Sequence, residues 1–317
     1  MMKEEKILII GACGQLGREL TVALMERYGE EAIIACDRLE AGQAKMTQVR
    51  YIKADVTNKE QLQTLIENEK VTQIYLLAAM LSASGENAPS MAWHVNMDGL
   101  LNVLELSVIY KVQKVFWPSS IAVFGPESPK VSCPQEAFTI PTTVYGISKL
   151  SGEYWCRYYY EKFGLDVRSV RYPGLISYKA MPGGGTTDYA VDIFYKAKAG
   201  EKFNCFLKAD TALPMMYMDD AIRATLELME IPSANISIRT SYNLAAVSFT
   251  PSELAQEIKK VMPGFQISYQ PDFRQQIAES WPSSINDKVA KDDWGWIPRY
   301  SRREIVTEML KNVKIDI

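Results

Sequence analysis

The chain predicts an α/β fold built on a doubly wound parallel sheet, with a smaller C-terminal part. Two observations carry this. Short apolar runs alternate with amphipathic stretches through the first half of its 317 residues, and the first run ends in a glycine-spaced loop that opens a helix. The composition, 47% apolar and 23% charged with no low-complexity tract, is that of an ordinary globular protein. With a formal net charge of −3 and its Lys and Arg residues scattered, the chain offers no basic groove for nucleic acid and no polybasic membrane patch.

Taken in order, Lys6–Ile10 is a continuous apolar run, as expected of a central strand buried on both faces. The loop Gly11-Ala-Cys-Gly14-Gln15-Leu16-Gly17 follows, and then a helical pattern through Leu20, Ala23 and Leu24. Strand, glycine loop and helix in that order form a phosphate cradle. The spacing is G-x-x-G-x-x-G, with Ala12 where the G-x-G-x-x-G form has its second glycine. The strand at Ala32–Cys36 ends in Asp37, a carboxylate placed to accept hydrogen bonds from a ribose and to repel a 2′-phosphate. NAD is therefore favoured over NADP, with Arg38 expected to lie along the adenine.

Val49–Lys53 reads as a third strand, followed by Asp55-Val56 at a strand end where an adenine could be met. A helix over Asn58–Glu69 precedes a fourth strand, Ile74–Ala79, in which Ala78 and Ala79 are small enough for a cofactor to lie against the backbone. A helix from about Ser90 to Tyr110 follows, with the only histidine, His94, at its start in a structural role. A single histidine leaves little room for a Ser-His-Asp triad or a histidine-built zinc site, and no metal is expected. The fifth strand, Val115–Trp117, runs into Pro118-Ser119-Ser120. Asp166–Arg171 is a sixth strand, broken at Tyr172-Pro173-Gly174. Beyond it come a glycine loop (Met181–Thr187), a threonine-capped helix from Asp188, and a strand near Pro214 entering another helix. Ser241–Leu244 is expected to return to the main sheet, Thr250-Pro251 with Glu253 to open a helix, and a last helix to close the chain. Residues 1–172 then form mainly the dinucleotide-binding part and 173–317 mainly the substrate-binding part of one continuous globule.

The chemistry points to Tyr145-Gly-Ile-Ser-Lys149. On a helix the two side chains project from one face about a turn apart. An ammonium about 4 Å from a phenol favours the phenolate by roughly 4 kcal/mol at an effective dielectric of about 20, which would make Tyr145 a general base. Two other Tyr-x-x-x-Lys pairs exist, Tyr110/Lys114 and Tyr158/Lys162. Tyr110 sits where a helix gives way to a strand. Tyr158 is turned roughly 220° from Tyr145 on the same helix, among aromatic neighbours.

Together these residues resemble the extended branch of the short-chain dehydrogenase/reductase superfamily, with an NAD-binding Rossmann fold. The glycine loop, Asp37, Asp55-Val56, the hydroxyl at Ser120 and the Tyr145/Lys149 pair carry the resemblance, as does the closing Asp-Trp-Gly-Trp-x-Pro. Phe124 stands where that branch has a tyrosine four residues past the catalytic Ser or Thr. Longer stretches, Phe116–Gly125, Tyr172–Ser177, Pro182–Phe194 and Met215–Ala221, are similar to the short-chain type of L-threonine 3-dehydrogenases.

The resemblance implies a catalytic set of Tyr145, Lys149 and Ser120, acting on L-threonine as substrate. The cofactor would be held by Gly11, Gly14, Gln15, Leu16, Gly17, Asp37, Arg38, Asp55, Val56, Leu77, Ala78, Ala79, Asn96, Tyr145, Lys149 and Tyr172. Ser82, Gly184, Thr186 and Trp281 would join Ser120 and Tyr145 around the substrate, and the Gly183–Gly185 run suggests a loop that closes over it. A homodimer pairing the helices around Ala92–Tyr110 and Tyr145–Phe163 is implied as well. A nucleotide-sugar epimerase or dehydratase, or an NAD-binding protein without chemistry, are the competing expectations. Five widely spaced cysteines, an N-terminus unlike a signal peptide and no apolar run of about 20 residues lead to a cytoplasmic expectation.

Overall fold

The computed structural model describes residues 5–179 and 183–315. Its centre is a six-stranded parallel sheet in the order β3-β2-β1-β4-β5-β7. The strands are β1 (Ile7–Ile10), β2 (Ile33–Asp37), β3 (Arg50–Lys53), β4 (Gln73–Leu76), β5 (Lys114–Phe116) and β7 (Asp166–Arg168). Helices α1 (Gln15–Tyr28), α2 (Ala41–Ala44) and α3 (Lys59–Glu69) connect the first four. Then α4 (Ser82–Glu86), α5 (Pro89–Trp93) and α6 (Gly99–Ile109) lead to β5. A two-residue strand β6 (Ser119–Ser120) and the long α7 (Val144–Phe163) lead to β7.

Why β1 is apolar throughout is visible in its alternation. Ile7 and Ile9 face one core, with Leu20 and Leu24 of α1. Leu8 and Ile10 face the other, with Leu62 and Leu104. Order reverses between β1 and β4, so a crevice opens beyond their carboxyl ends, where ligands of such sheets bind.

The expected sixth strand divides at Ser169. β7 pairs with β5 in the main sheet, while β8 (Val170–Tyr172) pairs with β6. β9 (Gly174–Ile176) comes next, and α8 (Tyr189–Lys198), β10 (Phe203–Cys205), β11 (Leu213–Tyr217) and α9 (Met218–Glu230) follow. The segment expected back in the main sheet, β12 (Tyr242–Asn243), joins instead a three-stranded extension in the order β12-β8-β6. Beyond it lie β13 (Val247–Phe249), α10 (Pro251–Val261), β14 (Ile267–Tyr269), α11 (Arg274–Ser280), α12 (Lys288–Trp294) and α13 (Arg302–Asn312). The expected capping box at Thr250/Glu253 is formed.

Two local expectations are corrected. His94 does not start a helix: His94–Asp98 is a π-helical turn between α5 and α6, and the ring pairs with Asp98 one turn on at 2.5 Å. No threonine caps α8: its N-cap residue is Asp188, whose carboxylate makes no cap bond and accepts instead from the preceding loop. Met181 and Pro182 of the expected glycine loop lie outside the described residues. Among the described residues all five cysteines are free, no helix is long and apolar enough to cross a membrane, and no cluster of metal-ligating side chains occurs.

Candidate active site

A cleft of about 1090 Å³ runs along the carboxyl ends of the central strands, from Asp37 and Arg38 at one end to Thr186 and Trp281 at the other. At the first end Gly14 caps α1, whose leading N–H groups have no helical partner. Gly11 holds φ +89°, and a Cβ there would sit 2.5 Å from the Ala78 nitrogen. A Cβ on Gly17 would run into the Gly11 carbonyl. Neither position tolerates a side chain, so the backbone stays bare for a phosphate group. The Asp37 carboxylate accepts the Cys13 N–H at 3.0 Å, fixing the loop to the end of β2. Gln15 has a buried amide nitrogen with no partner. Leu16, Asp55, Val56, Leu77, Ala78 and Ala79 complete the wall. Hydrogen bonds from Thr57 hold the Asp55 carboxyl below its usual range. A bare cradle, helix N–H groups and an acid at the ribose position fit NAD.

Two sequence-expected cofactor residues are placed differently from the rest. Asn96 does not line the cleft; its amide exchanges both hydrogen bonds with the Met80 backbone (2.8 and 3.1 Å) and donates to Ser148 Oγ at 3.1 Å. Tyr172 does line it, but its hydroxyl is turned into the core, against Thr225 of α9.

In the middle stand Ser120, Tyr145 and Lys149. β6 presents Ser120, whose Oγ accepts the Ala122 N–H at 3.2 Å. α7 presents the other two from its first turns, capped by Thr143 Oγ1 on the Gly146 N–H and by Glu86 on the Val144 N–H. Lys149 is 3% exposed; its ammonium donates to the Pro118 carbonyl at 2.6 Å and lies 4.4 Å from the Trp117 ring centroid. It stands 5.6 Å from the Tyr145 ring centroid. The expected titration of Tyr145 near neutrality is not met by this geometry. Burial pushes the phenol up to about 12, opposed by the Ser120 hydroxyl, and burial pushes Lys149 down to about 7. Desolvation outweighs the pairing because the ammonium is engaged by a carbonyl and not by the phenol.

Ser82 Oγ and Thr186 Oγ1 are 3.1 Å apart, both buried, and Trp281 lines the same cleft. Gly184 does not line the cleft. Its N–H and that of Gly185 donate to Asp188 Oδ2 at 2.9 and 2.7 Å. Asp188, missed in the sequence, lines the cleft with a carboxyl pushed up to about 6 by burial. A short acidic side chain three residues past a glycine run was the available signal.

Residues 7–245 match the NAD dependent epimerase/dehydratase family. A bovine (Bos taurus) protein named L-threonine 3-dehydrogenase, mitochondrial, is 44% identical over 308 residues, covering 97% of this chain and 82% of that protein. The solved structure of a GalE-like L-threonine dehydrogenase from Cupriavidus necator, in its holo form, superposes with a TM-score of 0.95 at 56% identity, covering 98% of this chain and all of that one. A monomeric L-threonine 3-dehydrogenase of metagenomic origin superposes at 0.93 and 46% identity, covering 97% and 98% of the two chains. With its glycine cradle, its buried lysine and half-buried tyrosine on one helix, and a match spanning most of its length, the chain belongs to the NAD dependent epimerase/dehydratase family.

Proposed function

We propose that the chain is an NAD-dependent L-threonine 3-dehydrogenase, oxidising the β-hydroxyl of L-threonine to 2-amino-3-oxobutanoate. The observation that carries this is one cleft whose lining includes the glycine loop, the Ser120/Tyr145/Lys149 set, and Ser82, Thr186 and Trp281. NAD, when bound, supplies the acceptor for the hydride from Cβ. It would be held by the Gly11–Gly17 loop, Asp37, the Asp55-Val56 and Leu77–Ala79 walls, and Lys149 at the nicotinamide ribose. Ser120 orients the substrate hydroxyl, and Tyr145 Oη takes its proton. Ser82 and Thr186 receive the amino-acid end. The product is a β-keto acid that loses carbon dioxide readily or is cleaved toward glycine, which places the reaction in threonine breakdown.

An epimerase acting on a nucleotide sugar would need cations for a second diphosphate. Among the lining residues the only lysine or arginine side chains are Arg38, at the adenosine end, and Lys149, at the centre. Adding L-threonine and NAD at mildly alkaline pH should give NADH stoichiometric with the sum of keto acid and the aminoacetone it leaves on losing carbon dioxide; bound NAD with no net reduction on adding L-threonine would favour the epimerase. Thr186→Val should raise KM for L-threonine by about 10-fold, from the loss of one buried hydrogen bond worth roughly 1–2 kcal/mol, with KM for NAD unmoved. An unaltered threonine KM removes Thr186 from the pocket.

The homodimer reading rests on α5 and α7, which expose Met91, Trp93, Ile147, Tyr154, Trp155 and Tyr158. Sedimentation at the monomer mass would remove it. Cytoplasmic location rests on the five free cysteines; recovery in an oxidising compartment, by fractionation, would remove that.

A further inference from the structure

A buried carboxylate sits directly behind the catalytic residues. Glu153, 1% exposed, lies one turn beyond Lys149 on α7. Its Oε1 accepts from Ser119 Oγ at 2.6 Å and Arg171 Nε at 2.8 Å, and its Oε2 from Arg171 Nη2 at 2.7 Å. The remaining guanidinium nitrogen donates to the Gln135 carbonyl at 3.0 Å and Asn243 Oδ1 at 3.1 Å. Glu153 and Arg171 do not line the cleft. A buried ion pair is a poor source of net stability compared with apolar side chains of similar size. The groups bonded at the carboxylate all adjoin residues of the site: Ser119 precedes Ser120, Arg171 precedes Tyr172, and Glu153 follows Lys149 by one turn. The carboxylate thus joins β6, β8 and α7 at one point.

We propose that Glu153, braced by Arg171 and bonded to Ser119, is a positioning residue that fixes the Ser120 strand against the Tyr145–Lys149 helix and so sets the spacing of the two hydroxyls that grip the substrate alcohol. This rests on the dehydrogenase reading above. It also predicts an electrostatic signature. Lys149 is faced by Glu153 and Cys156 from its own helix, by Tyr145 across one turn, and by the Pro118 carbonyl and Trp117 ring from the strand side. Arg171 reaches Glu153 from β8. Neutralising Glu153 removes the negative charge and leaves the arginine uncompensated. Lys149 then holds its proton less tightly, and the limb of the kcat profile that titrates with this ammonium moves to lower pH.

The test is steady-state oxidation of L-threonine by Ser119→Ala and Glu153→Gln, across pH, with thermal melts alongside. Ser119→Ala should lower kcat by about 5- to 20-fold through misplacement of Ser120, with KM for NAD and the pH profile unmoved because no charge is lost. Glu153→Gln should lower kcat by about 10- to 100-fold and shift the limb that titrates with Lys149 down by about half a unit or more. Wild-type kcat and profile in both variants, with only the melting temperature lowered, would make the network structural and overturn the proposal. Should Glu153→Gln fail to fold, an unchanged kcat in Ser119→Ala overturns it alone. Wild-type protein without threonine turnover would instead count against the dehydrogenase reading itself.

Discussion

Tyr145→Phe should cost about 10²–10⁴ in kcat, or roughly 3–5.5 kcal/mol of transition-state stabilisation, while binding NAD as the native chain does. The substitution removes one oxygen and keeps the ring that packs at the start of α7. In the proposed mechanism the phenol is the base, and burial pushes it up to about 12. Little phenolate exists at neutral pH, so oxidation by the native chain should climb with pH on the alkaline side. The phenylalanine variant should lack that climb. A residual rate that rises with pH as steeply as in the native chain would assign the base elsewhere.

The second large effect is expected from Lys149→Met, a loss of about 10²–10³ in kcat with weaker NAD binding. Its thermal behaviour separates chemistry from folding. Burial pushes Lys149 down to about 7, below its free value. The unfolded chain therefore binds the extra proton between about 7 and the ordinary lysine pKa, about 10.4. Native stability gains with rising pH across that window, and below it the fold carries the cost of a desolvated cation. Methionine removes that cost and leaves the Pro118 carbonyl without its donor. The variant should melt no lower than the native chain at pH 7 and should lose its pH-dependent gain between about 7 and 10. A variant that melts well below the native chain would mean that Lys149 is a net structural support.

Much of this was readable from residue order because the signals are local. The glycine loop, the acid ending β2 and the four-residue spacing of Tyr145 and Lys149 each depend on a few neighbours along the chain. Ser82, Thr186 and Trp281 are far apart in sequence, and it was the family resemblance that grouped them; all three line the cleft. What stayed hidden depends on tertiary competition. No spacing announces that the Lys149 ammonium will find a carbonyl before it finds a phenol. Nor does it announce that Asn96 will be consumed by the Met80 backbone from within a widened turn. The break of the sixth strand at Ser169 is equally silent, since both halves read as one extended run.

That break has a consequence for how such a protein can be cut or recombined. β12, from far along the chain, lies beside β8, and its Asn243 reaches both Arg171 and the Cys133 carbonyl. A fragment ending at Tyr172 would keep the nucleotide cradle and shed a strand that braces the reacting helix. Chimaeras that exchange the C-terminal portion among relatives must therefore carry Tyr242–Asn243 with the parent of Glu153 and Arg171, as one inherited unit.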